Sequence, residues 1–386
     1  MKREDLKEQL YDEVAKCNRC GFCLAVCPVY AVKGAEWATP RGRNAIIRAV
    51  IEGKIDWTSE IEQSLYRCTG CRACTQACFP SVETNEGILA GRSCLVDTRQ
   101  YPKVVDRLLE GLENNFNILD EANEERSEWM DALKDVPDHR YQKEKARVIY
   151  FVGCVAAFYP MVKKIPQSFV QILDRAEEDF TTLGGEEWCC GFPLIQAGLA
   201  DRMGKLVEHN QQKVRETGAD TIVFSCPSCF QTWKERYHTN AELLHSAQLM
   251  ERLVGEGRIR FKDGFHKTVT YHDPCDLGRN SGVYDAPRNI LSQIPGLKLV
   301  ELENNRQLSV CCGGGGDLEM IDPELSAAIA QRKVEEVQRT GAEVVVTSCQ
   351  QCIRTIRTAA RKQKIKLKVM DLTEVVLEAM GSEASS

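Results

Sequence analysis

The sequence predicts an α+β multidomain protein in which an all-helical N-terminal domain precedes a duplicated α/β unit. Residues 1–100 carry helical periodicity without a convincing strand, whereas from about residue 146 short apolar runs alternate with helical stretches. The α/β part then repeats itself. Thr217-Gly218-Ala219-Asp220, a strand, and Ser225-Cys226-x2-Cys229 are matched by Thr340-Gly341-Ala342-Glu343, a strand, and Ser348-Cys349-x2-Cys352. Cysteine placement agrees: 18 of the 19 cysteines fall into four spaced sets, two in the helical part and one in each repeat.

Taken in order, Leu6, Leu10 and Val14 share one face of a first helix that runs into Cys17. Thr39-Pro40 supplies an N-cap and a first-turn proline, and Ala45, Ile46, Ala49 and Val50 follow at helical spacing. Residues 101–145 read as a charged helical linker wrapped on the surface and anchored by Leu108, Leu109, Leu112 and Trp129. The first α/β domain, 146–260, opens with the strand Val148-Ile149-Tyr150-Phe151-Val152, which ends at Gly153-Cys154. A helix through Phe169, Ile172 and Leu173 leads by a short connection to Trp188-Cys189-Cys190-Gly191. A second helix, 199–217, stops at Gly218, and the strand Thr221-Ile222-Val223-Phe224 delivers Ser225-Cys226. The second domain, 261–386, opens with Thr268-Val269-Thr270-Tyr271 and continues through Lys298-Leu299-Val300-Glu301-Leu302. Parallel strands with sites where strands end and helices begin are the simplest architecture for both halves.

Bulk properties exclude several classes. A net charge of −6 and the absence of a long Lys/Arg run argue against nucleic-acid binding. The charged start Met1-Lys2-Arg3-Glu4-Asp5-Leu6 is no signal peptide, and no apolar segment approaches the ~20 residues needed to cross a bilayer. The expected place is therefore the reducing cytoplasm, where CxxC groups in a large chain point to metal or redox sites rather than disulfides.

Cys17-x2-Cys20-x2-Cys23-x3-Cys27 is followed by Pro28, and Cys68-x2-Cys71-x2-Cys74-x3-Cys78 by Pro80. This is the bacterial [4Fe–4S] ligand run, in which the fourth cysteine serves the other cluster. One cubane cluster would then take Cys17, Cys20, Cys23 and Cys78, and the other Cys68, Cys71, Cys74 and Cys27. Zinc, the competing occupant of CxxC pairs, needs neither complete set nor trailing proline. Gly21 and Gly70 allow the backbone to turn closely around sulfur.

The other two sets are Cys154, Cys189-Cys190, Cys226-x2-Cys229 and Cys275, Cys311-Cys312, Cys349-x2-Cys352, offset from one another by 121 to 123 residues. Adjacent thiolates cannot both face one small tetrahedral metal without strain, so five thiolates from three segments point to a larger or less regular assembly. The repeated pattern resembles the cysteine-rich CCG domain of heterodisulfide reductase. With the two ferredoxin-type runs in front, the whole chain resembles the D-subunit family of that enzyme, and is also similar to the iron–sulfur subunits of glycolate, lactate and anaerobic glycerol-3-phosphate dehydrogenases. The resemblance implies two noncubane [4Fe–4S] clusters, one on Cys154, Cys189, Cys190, Cys226 and Cys229, the other on Cys275, Cys311, Cys312, Cys349 and Cys352. It implies an oxidoreductase subunit that passes electrons from two cubane clusters to two noncubane ones and reduces a disulfide. The alternative is an electron relay for a flavin-dependent glycolate- or lactate-type dehydrogenase. Partners by resemblance are a membrane cytochrome b subunit or a flavoprotein, with peripheral membrane association through the partner, and a small thiol or disulfide as substrate. Asp276 stands after Cys275 where relatives commonly carry histidine, a departure beside the substrate-handling cysteines.

Other residues admit two readings each. Gly313 to Gly316 either approach a bulky group or form a flexible turn. His272 is a proton donor, a substrate contact or a hydrogen-bonded strand-end residue. His209, His238, His245 and His266 are expected on the surface, Arg279 and Arg288 in salt bridges or steering an anion, and Cys94 as a buried thiol. Trp188 shields a metal group or packs in the core.

Overall fold

A computed structural model describes residues 3–381; Met1 and Lys2 of the charged N-terminus, and the last five residues of the second repeat, lie outside them. The first hundred residues are helical, and no strand precedes Val148 among the described residues. Helices Arg3–Ala15, Pro40–Ile51 and Thr84–Asp97 pack together through Leu6, Leu10, Val14, Ile47, Val50 and Leu95. Thr39 caps the second helix, its Oγ1 accepting from Gly42 N at 2.8 Å, with Pro40 in the first turn. The buried face of that helix carries Arg43, Asn44 and Ile47, and Ala45 is exposed. Arg43 reaches through the core to donate to Ser64 O at 2.8 Å, which outweighs simple apolar spacing.

The segment 101–145 keeps most of its residues exposed or half-buried, with the expected anchors Leu108, Leu112 and Trp129 turned inward, and it departs from the surface reading at a few buried polar groups. Helix Val104–Asn114 buries Leu108 and Leu112. A run of 3₁₀ turns, Asn123–Ala132, buries Asn123, Arg126, Trp129 and Met130. Arg126 is one such group, enclosed because a buried carboxylate, Glu187, meets it at 2.9 Å.

Each repeat forms a four-stranded parallel sheet. In the first, β1 (Val148–Phe151), β2 (Phe180–Thr182), β3 (Thr221–Phe224) and β4 (Glu242–His245) run in the order β2-β1-β3-β4. In the second, β5 (Thr268–His272), β6 (Lys298–Glu301), β7 (Val344–Thr347) and β8 (Lys368–Asp371) run β6-β5-β7-β8. The central strands β1, β3 and β7 are buried on both faces, which is why they read as continuous apolar runs. β2, β4 and β8 escape a reading by pattern because they are edge strands, β2 only three residues long and β4 and β8 exposed where they begin.

In such an order the chain winds outward in one direction from β1 to β2 and in the other from β3 to β4. A crevice opens at the carboxyl ends of β1 and β3, and likewise of β5 and β7. Cys154 and Cys226 follow β1 and β3; Cys275 and Cys349 follow β5 and β7. The two sheets share one apolar cluster that includes Val148, Tyr150, Val223, Val269, Tyr271 and Val346. No helix among the described residues is long and apolar enough to cross a membrane.

Candidate metal centres

Cys27, Cys68, Cys71 and Cys74 line one cavity in the N-terminal domain. Burial raises the Cys74 thiol well above its usual range, and the charges of Cys68, Cys71 and Cys27 raise it further. The other set is more open. Burial pushes Cys23 up to about 11, and it feels Cys17, Cys27 and Cys78, while Cys20 is exposed. Backbone amides point at sulfur in both: Tyr30 N at Cys27 Sγ (3.5 Å), Gly70 N at Cys68 Sγ (3.4 Å) and Val82 N at Cys78 Sγ (3.4 Å). Such N–H groups stabilise thiolate and cluster charge.

The five cysteines of each repeat form a continuous chain of sulfur contacts with the same connectivity. In the first copy it runs Cys154, Cys189, Cys190, Cys229, Cys226. In the second it runs Cys275, Cys311, Cys312, Cys352, Cys349. All ten are buried except Cys275, which is half-buried. Hydrogen bonds from Cys189 and Cys229 lower the Cys190 thiol to about 6, and those from Cys311 and Cys352 hold Cys312 well below its ordinary value. Gly191 N and Gly313 N address Cys189 Sγ and Cys311 Sγ at 3.5 and 3.4 Å, the same contact in both copies. Ten soft donors, partnered chiefly by one another in a dry interior, are a donor set suited to iron and sulfide.

Both sets open onto a single cavity of about 140 Å³. All five cysteines of the first copy line it, together with Cys275, Cys312, Cys349 and Cys352 of the second. Cys311 is not among the lining residues, and besides its contacts with Cys275 and Cys312 it makes a hydrogen-bond contact with Cys71 of the N-terminal domain. The helical domain is therefore joined to the second copy, sulfur to sulfur.

Several residues around the cavity carry no sequence signature. Arg126 Nη2 donates to Cys154 Sγ at 3.4 Å while Nη1 donates to Glu187, whose oxygens also accept from Val152 N and Gly153 N. Gln350 crosses between copies, donating to Val152 O (2.9 Å) and Ser225 Oγ (3.0 Å) and accepting from Ala156 N (3.0 Å). Asp317 lines the cavity, and burial raises its carboxyl to about 7. Its Oδ2 has no hydrogen-bond partner among the described residues. Asp276 also lines the cavity, held between Ser228 Oγ (2.5 Å) of the first copy and Asn280 Nδ2 (2.9 Å).

The residues with two readings resolve as follows. Gly315 and Gly316 lie against the backbone of Cys68 and Thr69, where a Cβ on Gly315 would meet Thr69 O at 2.5 Å. The glycine run is thus a close approach between a four-cysteine loop and the second copy. Arg92 fastens the same junction, donating to Cys68 O (2.9 Å), Gln196 O (2.5 Å) and Gly316 O (3.4 Å). Arg288 forms a buried pair with Asp273 and a second pair with exposed Glu301, and Arg279 donates to Cys71 O and Ser309 O, so both are structural. Trp188 is half-buried and sandwiched between Phe116 and His209, at 3.6 and 3.5 Å. Cys94 is buried.

Two histidine expectations are corrected. His245 is fully buried and caps helix Ser246–Gly255, because its ring nitrogen accepts from Ala247 N. His272 is buried, and burial together with the positive charge of Lys333 holds it at about 3, so it is no proton donor at neutral pH. Nor is it hydrogen-bonded: neither ring nitrogen has a partner among the described residues.

A family model described as a cysteine-rich domain (CCG) matches residues 148–234 and again 269–357, and one described as a 4Fe-4S dicluster domain matches residues 13–82. The chain is 31% identical to the D subunit of the dihydromethanophenazine:CoB–CoM heterodisulfide reductase of Methanosarcina mazei, across 96% of this chain and 95% of that one. It is 28% identical to the probable iron-sulfur-binding oxidoreductase FadF of Bacillus subtilis, across 83% of this chain and 47% of that one. It is 26% identical to the EtfAB:quinone oxidoreductase of Syntrophomonas wolfei, across 95% and 58%. A hypothetical protein from Helicobacter pylori of known crystal structure shares the fold, with a TM-score of 0.53 at 8% identity, covering all of this chain and 78% of that one.

Proposed function

The chain belongs to the D-subunit family of heterodisulfide reductase, and from that premise we propose that it is the part of a redox complex in which a disulfide is reduced, at the cavity between the two repeats. In this reading Cys17, Cys20, Cys23 and Cys78 hold one cubane [4Fe–4S] cluster, and Cys68, Cys71, Cys74 and Cys27 the other. Cys154, Cys189, Cys190, Cys226 and Cys229 hold one noncubane cluster, and Cys275, Cys311, Cys312, Cys349 and Cys352 its counterpart. When bound, these groups supply one-electron storage, and a pair beside one cavity matches the two electrons that an S–S bond takes. The balance is simple: the S–S bond breaks, two electrons from a reduced redox partner and two protons enter, and two thiols leave.

The observation that carries this reading is that nine of the ten repeat cysteines face one cavity. A relay would also hold its clusters there; reduction is favoured because the two sets converge from both copies, so that two one-electron donors would stand side by side. The chain's own residues supply the rest of the chemistry. Asp317, its carboxyl raised by burial to about 7, lines the cavity and can exchange a proton there near neutral pH. Apolar walls from Ile118, Val155, Phe192 and Pro193 exclude water from the sulfur atoms. Gln350 and the Ser228–Asp276 bond fix the spacing of the two cysteine sets across the cavity. Arg126 donates to Cys154 Sγ and opposes the Cys189 contact and the burial that raise that thiol well above its usual range.

The test is anaerobic protein with full iron and sulfide, assayed for disulfide turnover with a reduced viologen dye, with paramagnetic resonance spectra before and after adding thiol. Turnover and a new thiol-dependent signal are expected, and Asp317→Asn should lower turnover near pH 7. Iron-replete protein that turns over no disulfide and shows no thiol-dependent signal would instead support the relay for a flavin-dependent dehydrogenase.

A further inference from the structure

Beside the sulfur cavity lies a second, polar chamber of about 30 Å³, formed where all three parts of the chain meet. Arg72 and Asn85 reach it from the helical domain, Gln196 and Gln231 from the first repeat, and Asp276 and Asn280 from the second. Its wall includes Glu86, Glu235 and Arg236, which are exposed. It also includes Phe192 and Asp276, which line the sulfur cavity as well. The chamber therefore stands between solvent and the cysteines.

Four buried polar atoms on this wall have no hydrogen-bond partner among the described residues: Arg72 Nε, Asn85 Oδ1, Gln196 Oε1 and Asn280 Oδ1. Asn85 is 5% exposed and Gln196 6%. Their oxygens converge, since a Cβ on Gly70 would lie 3.0 Å from Gln196 Oε1 and 3.7 Å from Asn85 Oδ1. Buried polar groups are rarely left unpaired, and four around one small space call for a shared partner. One donor and three acceptors suit a ligand that both gives and accepts hydrogen bonds. The Arg72 guanidinium disfavours a cation there, and the oxygens with the Asp276 carboxylate disfavour an anion. Water fits both demands, and because one molecule needs only ~10–15 Å³ the chamber has room for about two.

We infer that this chamber holds bound water that conducts protons from solvent to the sulfur cavity, past the Asp276 side chain. The inference rests on the reading of that cavity as the place where a disulfide is reduced. Each S–S bond that breaks takes two electrons from the reduced redox partner and two protons from solvent, and two thiols leave. Ile118, Val155 and Pro193 on the cavity wall are apolar and deliver no proton. The chamber's own side chains arrange the water. Gln231 Nε2 donates to Glu235 Oε1 (2.9 Å), and Asn280 Nδ2 donates to Gln231 Oε1 (3.3 Å) and Asp276 Oδ1 (2.9 Å). This row runs unbroken from an exposed carboxylate to the cavity wall. Its amides orient water without themselves carrying the proton. Asp276, held by Ser228 and Asn280, orients the innermost molecule as a fixed acceptor and need not change charge.

The experiment uses whole, iron-loaded protein, its Gln196→Leu and Gln231→Leu variants, which make the wall apolar, and Gln196→Asn, which keeps it polar. Cystine, cystamine and glutathione disulfide serve as substrates, with a reduced viologen dye as donor, in ordinary and heavy water. In a crystal structure of the parent, ordered water should bridge Arg72, Asn85 and Gln196. Both leucine variants should lose turnover several-fold and show a larger solvent isotope effect, with iron content and KM unchanged, while Gln196→Asn stays near the parent. A purely structural role would not move the isotope effect; if one leucine variant loses iron, the other decides. A chamber without ordered water overturns the inference and leaves the disulfide reading intact, as do leucine variants whose isotope effect equals the parent's. Iron-replete parent protein that turns over none of the disulfides overturns both.

Discussion

The two α/β repeats have the same strand order, the same chain of sulfur contacts and the same buried bond from a strand tyrosine to the serine before a CxxC. Tyr150 meets Ser225 at 2.7 Å in one and Tyr271 meets Ser348 at 3.1 Å in the other. They differ in what touches the cysteines. The first copy presents Cys154 to Arg126, a cation held by Glu187 and brought in by the segment 101–145. The second presents Cys311 to Cys71 and carries His272 against Cys312 and Cys352. Duplication supplied a common frame for two sites with separate surroundings: in the first an arginine from outside the repeat bonds Cys154, and in the second the repeat's own Arg279 places its charge near Cys275 and Cys311, beside a sulfur neighbour in the helical domain.

The largest effect should come from removing the most acidic thiol of each copy. Cys190→Ser and Cys312→Ser should each lose the iron bound to its own repeat and retain that of the other, as read by iron and sulfide counting. If either substitution emptied both repeats, the copies would be one site rather than two. Next in size is the buried Arg126–Glu187 pair beside Cys154. Arg126→Met leaves a buried carboxylate without its cation, a change on the order of 3–5 kcal/mol. The urea midpoint should fall sharply, and Arg126→Met combined with Glu187→Gln should recover part of the loss. A smaller effect is expected at the junction with the helical domain. A Cβ at Gly316 would collide with Cys68 O, and the residue has φ of +64°. Gly316→Ala should cost roughly 1–3 kcal/mol. It should also slow reduction of the second repeat relative to the first in stopped-flow traces, because it pushes the Cys68 loop away.

Much of this was legible in the sequence. The spacing of cysteines identified both sets in each half, and the repeat Thr-Gly-Ala-acid, strand, Ser-Cys-x2-Cys placed β3 and β7 correctly with their CxxC at the start of the next helix. What the sequence hid was long-range and polar. Arg126 is one charged residue in a charged stretch, and only the fold shows the carboxylate that lets it be buried. Asp317 follows a glycine run whose purpose, contact with Cys68 and Thr69, depends on a domain more than two hundred residues earlier. His245 looked like a surface residue because the four-residue strand that carries it has a half-exposed beginning and a buried end.

The smallest expected effect also distinguishes the copies, through the residues that close their sheets. β4 and β8 both end in a side chain that caps the following helix within a capping box: His245 before Ser246–Gly255 and Asp371 before Leu372–Met380. Both are buried, and burial moves them in opposite directions, His245 down to about 3 and Asp371 up to about 7. Between pH 4 and 6.5 the unfolded chain binds more protons than the folded one at His245, so that group's contribution to stability rises with pH. Over the same interval the folded chain binds more protons than the unfolded one at Asp371, so its contribution falls as pH rises. Each slope approaches ~1.4 kcal/mol per pH unit, and because their signs oppose, they nearly cancel in the intact protein. Removing one should expose the other. Asp371→Asn, which keeps a capping oxygen, should make stability climb with pH between 4 and 6.5, and His245→Asn should make it decline. Parallel urea titrations of the two variants across that range read the difference directly; curves that stay parallel to the parent would mean that the caps, and with them the ends of the two sheets, are open to water.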